Sequence, residues 1–287
     1  MIPRPHFRIP LANGQMLELG VRTLVMGIVN VTPDSFADGG ERFDPDVAIA
    51  DALQMVADGA GILDIGGEST RPGAPPLSAE EELRRVTPVL EGLRGRVAVP
   101  ISIDTYKASV ASRAIELGAG IVNDISALAY DPALAGVIAR TGAAVVLMHT
   151  RGRSAEMYSL AQYGDVAREI TRELGERAAA ARAAGIGGDR IILDPGIGFA
   201  KQAEHSYAAI GGLPELAALG RPILSGPSRK SFLKTAVGDV PPRQRLWGTA
   251  AAVTASILLG AHIVRVHDVK EMAQVVRTAD LILNAST

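Results

Sequence analysis

Short, nearly unbroken runs of Val, Ile and Leu recur along the chain at 24–30, 61–66, 99–104, 120–124, 143–149, 190–195, 221–226 and 262–267. Runs this short that are apolar on both faces predict strands of a parallel sheet buried on each side. Between them, apolar residues fall at helical spacing over 46–58, 79–93, 108–117, 132–140, 164–184, 243–259 and 269–283, with a less regular stretch at 204–219. Start and stop signals agree: Ser78 stands three residues before Glu81, a capping-box spacing, and Gly59, Gly118, Gly142, Gly185 and Gly220 stand where helices should end. The first 20 residues read as a short cap with a hairpin turn at Asn13-Gly14.

Eight strands, each followed by a helix, predict an α/β fold of the (β/α)8 TIM-barrel type with a short N-terminal cap. An open doubly wound sheet is the alternative, but it usually has fewer strands at this length. No linker or low-complexity tract divides the chain, so residues 1–287 are expected to form a single domain. Composition narrows the partners. With 47% hydrophobic and 21% charged residues the chain is globular, and without cysteine it has neither a thiolate metal site nor a cysteine nucleophile. A net charge of −2 and 4% aromatic residues argue against nucleic acid as a partner. The uncharged stretch 246–264 has the length of a bilayer span, but Gly248, Thr249, Thr254, Ser256, Gly260 and His262 interrupt it. It reads as a buried Ala-rich helix ending near Gly260 and then a strand, with no membrane span. The N-terminus lacks a signal-like apolar segment, so a cytoplasmic protein acting on small molecules is expected.

A barrel places its chemistry at the C-terminal ends of its strands. The predicted strands deliver to that rim Asn30, Asp64 with Glu68, Asp104, Asn123-Asp124, His149, Asp194, Ser228-Arg229-Lys230 and Arg265-x-His267. Any one of these could be a helix cap or turn residue; eight together make a site. Strand one carries no histidine pair for a transition metal, and strand six no Schiff-base lysine. Arg265 and His267, two apart, face the same side and with Asn30 can clamp an anion and a metal ion, although Arg265 could instead form a structural Arg–Asp pair. Asp104, Asn123 and Asp194 can read the donor edge of a heterocycle, or organise buried water. Residues 226–231 open a predicted helix with two cations, which makes either an anion site or a plain cap. The long loops 31–40 and 67–74 suit lids over a substrate.

Taken in order, Asn30-Val-Thr-Pro-Asp-Ser-Phe-x-Asp-Gly-Gly40, Gly67-Glu-Ser-Thr-Arg-Pro-Gly-Ala74, Ile103-Asp104-Thr105, Val122-Asn123-Asp124, Leu193-Asp194-Pro-Gly-x-Gly-Phe199, Gly226-x-Ser-Arg-Lys230 and Arg265-Val-His267 resemble the dihydropteroate synthase family. The resemblance implies a transferase of folate synthesis, and a target of sulfonamides, in which p-aminobenzoate displaces diphosphate from 7,8-dihydropterin-6-ylmethyl diphosphate. By position it implies that Thr70, Asp104, Asn123, Asp194, Lys230, Arg265 and His267 hold the pterin diphosphate. Phe36, Thr70, Arg71, Phe199 and Ser231 would shape the aminobenzoate pocket, with Pro33, Asp34 and Asp38 on the closing loop beside Phe36. Asp104, Lys230, Arg265, His267 and Asp38 would be catalytic, and Asn30 would hold Mg²⁺. It further implies a homodimer. The family places the aminobenzoate carboxylate near Ser231, where barrel physics alone would place a phosphate. A methyltransferase barrel that binds a pterin would have no use for the diphosphate clamp, and a silent paralogue need not keep all these positions.

Overall fold

The computed structural model describes residues 4–32, 44–69, 76–153 and 156–285, and within them the apolar runs are strands. A hairpin, β1 (Phe7–Pro10) and β2 (Met16–Leu19), turns at the predicted Asn13-Gly14 and precedes the main sheet. The barrel strands are β3 (Leu24–Asn30), β4 (Ile62–Gly66), β5 (Ile101–Asp104), β6 (Ile121–Asp124), β7 (Ala144–Met148), β8 (Ile191–Asp194), β9 (Leu224–Ser225) and β10 (Ile263–Val266). They pair in parallel in the order β8-β7-β6-β5-β4-β3-β10-β9. The ring closes between its two outer strands through one bridge, Leu193 to Ile223, with the Leu193 N–H donating to the Pro222 carbonyl at 2.9 Å. This is the eight-stranded barrel expected of the sequence.

Strand seven is shorter than predicted. Pro222 has no N–H for the ladder and Pro227 follows soon after, so in place of 221–226 only Leu224–Ser225 pair with β10 and Ile223 adds the single bridge to Leu193. The helices are α1 (Pro45–Ala57), α2 (Ala79–Leu93), α3 (Ala108–Glu116), α4 (Leu134–Thr141), α5 (Val166–Ala183), α6 (Ala203–Gly211), α7 (Leu213–Ala217), α8 (Lys234–Val237), α9 (Leu246–Leu258) and α10 (Val269–Asn284). The irregular stretch 204–219 is two helices because Pro214 cannot continue α6 and sits instead in the first turn of α7. The five glycines expected at helix ends all have positive φ. The Ser78 cap is half a capping box: its Oγ accepts the Glu81 N–H at 3.2 Å, but the Glu81 carboxylate pairs with Arg84 and Arg85. The stretch 246–264 is α9 followed by β10, and no helix among the described residues is long and apolar enough to cross a membrane.

Side chains alternate across each strand, so one residue of a pair packs on the helices and the next points into the barrel. Val25, Leu63, Val122, Val145, Leu193 and Val264 belong to the layer under the helices. Their neighbours Met26, Ile62, Ile121, Val146, Ile192 and Ile263 fill the barrel and meet Ile9, Leu17 and Leu19 of the hairpin. The hairpin is therefore the floor of the barrel. Each of these fully buried aliphatic side chains contributes about 1.5–3 kcal/mol relative to an exposed one.

His262 fixes the chain beside this floor. Its Nδ1 accepts the Ile223 N–H at 3.2 Å, so the proton sits on Nε2, which faces the Pro5 carbonyl at 3.2 Å. Burial lowers its pKa to about 4. The unfolded chain then binds a proton between about pH 6.5 and 4 that the folded chain does not, so this contribution is complete above that window and lost as pH falls through it. Buried Asp104, whose pKa is raised, acts in the opposite sense, so only a difference isolates the histidine. The stability advantage of the parent over His262→Gln is expected to grow by on the order of 3 kcal/mol from pH 4 to 6.5, measured by urea unfolding. A pH-independent difference would refute it.

Candidate active site

The alternation that places Met26, Ile62, Ile121, Ile192 and Ile263 inside the barrel places specific polar groups above them, toward the strands' C-terminal ends. Counting by twos along the strands gives Asn30, Asp64, Asn123, Asp194, Arg265 and His267; Asp104 stands in register with Asn123. Arg265 Nε donates to Asp64 Oδ2 at 2.6 Å and its Nη2 to Asp104 Oδ2 at 2.7 Å. Asn123 Nδ2 donates to the same Asp64 oxygen at 2.9 Å. The Arg–Asp pair and the anion clamp weighed from the sequence are thus compatible, since these bonds engage two of the five guanidinium N–H groups. Gly66 lies beside Asp104, where a Cβ would stand 3.3 Å from the Asp104 Cβ.

Asp104, Asn123, Asp194, Phe199, Lys230 and Arg265 line one pocket at the centre of the mouth. From it a cleft of about 870 Å³ runs outward past Asn30, Ser228, Ser231 and His267. That is the size of a small-molecule site, about 300–1,000 Å³. Burial dominates the electrostatics. It lifts Asp104 to about 7, helped by the carboxylates of Asp64, Glu82 and Asp124 and opposed by Arg265. It also raises Asp194 against the pull of Lys230, and lowers Lys230 to about 8 against the pull of Asp194. A pocket whose acids and base are all drawn toward neutral pH has the character of a reaction site.

The segment after β8 is shaped by its own hydrogen bonds. Gly196 N–H donates to Asp194 Oδ1 at 2.7 Å, and Lys230 Nζ donates to the Ile197 carbonyl while lying 4.5 Å from the centre of the Phe199 ring. At the far side, His267 N–H donates to Ser228 Oγ at 3.2 Å and His267 Nδ1 meets that oxygen at 3.1 Å. With the serine proton on Nδ1, the imidazole carries its own on Nε2, the form that donates to an anion.

Five expectations change. Asp124 and His149 stand one residue beyond Asn123 and Met148, which turns them off the mouth. Asp124 caps the next loop through the Ser126 and Leu128 N–H groups, and His149 is buried between Glu173 and Lys201. Glu68 borders the cleft, but its carboxylate binds Tyr106 and Lys107. The predicted helix after strand seven is a 3₁₀ turn at Ser231–Leu233 and then the four-residue α8, too short to make a helix-terminus anion site. Arg229 does not act as a second cation beside Lys230. With φ at +59°, it turns its guanidinium onto Asp268, Nε to Oδ2 at 2.9 Å. Phe36, Asp38, Thr70 and Arg71, with Pro33 and Asp34, lie outside the described residues.

Two residues gain roles the sequence did not assign. Asp64 anchors both Arg265 and Asn123, and alternation along β4 was the signal for it. Lys201 is buried behind Phe199, where burial lowers it to about 7, and no pattern marks it. Among the described residues no group of three or more His, Asp or Glu is placed to hold a metal. Asn30 does offer a side-chain oxygen at the exposed end of β3, on the cleft. One neutral oxygen ligand suits Mg²⁺, which keeps several waters and is commonly shared with substrate phosphates.

A family model described as pterin binding enzyme matches residues 26–267. The chain is 48% identical to the dihydropteroate synthase of Synechocystis sp. over 96% of both chains. It is 46% identical to the dihydropteroate synthase of Bacillus subtilis over 92% of this chain and 90% of that one. Among solved structures, Xanthomonas albilineans dihydropteroate synthase with 4-aminobenzoic acid superimposes with a TM-score of 0.90 at 42% identity, covering 97% of this chain and 98% of that one. The same enzyme in complex with 7,8-dihydropteroate gives a TM-score of 0.86 at 39% identity, covering 96% and 98%.

Proposed function

The chain belongs to the dihydropteroate synthase family of pterin binding enzymes, and from that premise we propose how its own residues carry the family's reaction. The enzyme is a transferase of folate biosynthesis: it joins p-aminobenzoate to 7,8-dihydropterin-6-ylmethyl diphosphate, giving 7,8-dihydropteroate and diphosphate. The observation that carries the assignment of roles is the convergence of Asp104, Asn123, Asp194, Lys230 and Arg265 on one pocket at the barrel mouth.

In this reading the pterin enters the inner pocket edge-on. Asp104 and Asp194 accept from its ring N–H and NH₂ groups, and Asn123 both accepts and donates. Lys230 bounds the same pocket, held by the Ile197 carbonyl, and its ammonium donates to a ring acceptor of the pterin. The diphosphate extends into the outer cleft, where Arg265 and the Nε2–H of His267 bind its oxygens. Asn30 would hold Mg²⁺ there; when bound, the ion neutralises charge on the diphosphate. Aminobenzoate lies against Phe199 with its carboxylate toward Ser231, which borders the cleft.

The bond from the methylene carbon to the diphosphate oxygen breaks ahead of the new bond. The aminobenzoate nitrogen then attacks that carbon and gives up a proton to solvent. Positive charge develops on the pterin methylene in between. The ionised Asp104 offsets it, while Arg265 and His267 stabilise the departing anion.

Diphosphate release from the two substrates with Mg²⁺ tests this reading. Asp104 must be ionised and Lys230 charged, so kcat/KM is expected to fall as pH drops through about 7 and again as it rises through about 8. Chelating the Mg²⁺ should suppress release. No diphosphate release above background would overturn the reading, and a flat profile would remove the roles given to Asp104 and Lys230.

A further inference from the structure

Between Asp194 and Lys201 the backbone alternates in hand. Gly196, Gly198 and Ala200 have φ of +67°, +80° and +47°, while Ile197 and Phe199 between them do not. Two of these are glycines, which accept such angles. Ala200 is not, and an L-residue stays in the left-handed region only where its surroundings hold it there. The carbonyls of the intervening residues both meet ammonium groups. Ile197 accepts from Lys230, which lines the pocket, and Phe199 accepts from Lys201 at 3.1 Å, which does not.

Lys201 is 2% exposed and braced from behind. Its Nζ meets His149 Nδ1 at 2.9 Å, and His149 Nε2 meets Glu173 Oε2 at 2.9 Å. The Glu173 carboxylate can only accept, so the neutral His149 carries its proton on Nε2 and Nδ1 accepts from Lys201. The His149 N–H donates to the Asp194 carbonyl at 2.9 Å, so the same residue also ties down the start of the segment. Tyr163 Oη holds the Ala200 carbonyl at 2.9 Å. A hydrogen-bonded chain thus runs from the Phe199 carbonyl, which accepts from Lys201, through His149 to the accepting carboxylate of Glu173 on α5.

We propose that Lys201 is a positioning residue for the amine substrate: its buried amino group, backed by His149 and Glu173, fixes the Phe199 peptide and so sets the ring against which aminobenzoate lies. The proposal rests on the reading that aminobenzoate docks on Phe199. Lys201 does not line the cleft, and its one hydrogen bond to a cleft-lining residue is to Phe199. It bears on the second substrate more than on the first, because its hydrogen bonds go to Phe199 and His149 and to none of the side chains of Asp104, Asn123 and Asp194 that grip the pterin.

Steady-state kinetics with each substrate varied in turn test it. Lys201→Met is expected to raise the aminobenzoate KM about tenfold, with kcat and the pterin diphosphate KM each within about twofold to threefold of the parent. Tyr163→Phe, which removes one hydroxyl and leaves the packing, should shift aminobenzoate KM in the same direction by about threefold, and it carries the test if Lys201→Met does not fold. Phe199→Ala separates the two levels of inference. If it leaves aminobenzoate KM unchanged, the pocket reading falls and the proposal with it. If it raises that KM while Lys201→Met and Tyr163→Phe do not, the proposal alone is overturned. Equal rises in both substrates' KM values, with a lowered Tm, would also overturn it, since they mark a merely structural role.

Discussion

Asp104→Asn is expected to lower kcat by roughly 10²- to 10³-fold while weakening pterin binding by less than about tenfold. The substitution keeps a hydrogen-bonding group of the same shape at the same place in β5, removes the negative charge and turns one acceptor oxygen into an NH₂ donor. Pterin recognition relies on shape and hydrogen bonds shared among Asp104, Asn123 and Asp194, so one changed partner costs little. The reacting methylene is different. Its charge exists only between bond breaking and bond making, and the Asp104 carboxylate, ionised, is the anion positioned for it in the pocket. A fixed charge used only at that moment appears in kcat and not in ground-state binding. The variant should also lose the acid limb of the pH profile, because the group lifted to about 7 is gone. Single-turnover rates and calorimetric pterin binding decide the point. A large loss of affinity with kcat preserved would make Asp104 a binding residue only.

Lys107→Met is expected to destabilise the fold by about 3–5 kcal/mol. Lys107 Nζ bonds both Glu68 and Glu82, and the Glu82 side chain is 0% exposed. Burial already raises the Glu82 pKa, and its second carboxylate oxygen has no partner. Without the ammonium, a buried carboxylate is left with little compensation, and part of the cost falls as Glu82 takes up a proton. The double variant Lys107→Met with Glu82→Leu should recover much of the loss, because an apolar pair of similar volume suffers no such desolvation. Urea unfolding of the parent and both variants measures this. Equal stability of the two variants would show that the cost comes from lost packing and not from the stranded charge.

How the chain announces its fold can be followed strand by strand. The eight apolar runs are legible because strands buried on both faces need no polar residue until the mouth, so each run ends where solvent or substrate begins. Asp104, Asn123, Asp194, Lys230 and Arg265 were legible for that reason, and they do meet in one pocket. Direction was harder to read than position. Asp124 and His149 adjoin site residues in sequence, but one step along a strand reverses the face. Arg229 adjoins Lys230, yet a left-handed φ sends it to Asp268. Lys201 was illegible because its role depends on His149, 52 positions away, and on a carbonyl direction that no residue type encodes. Strand seven was overestimated although Pro222 stands in the run itself, because the apolar residues after it were weighed above a missing N–H that shortens the pairing.

The barrel's closing line has a consequence for how the molecule breathes. Across β3 and β4 five positions are in register, whereas β8 meets the strand-seven segment at the single bridge from Leu193 to Ile223. Asp194 stands just past one side of that seam and Lys230 beyond the other, so the two groups assigned to the pterin are carried by the two edges of the cylinder. Separating those edges disrupts far less backbone pairing than parting any well-laced neighbours, so sub-global opening should begin here. Amide exchange at Leu193 would then run ahead of that at Leu63 or Val122, and a bound pterin, spanning both edges, would act as a rivet that slows it.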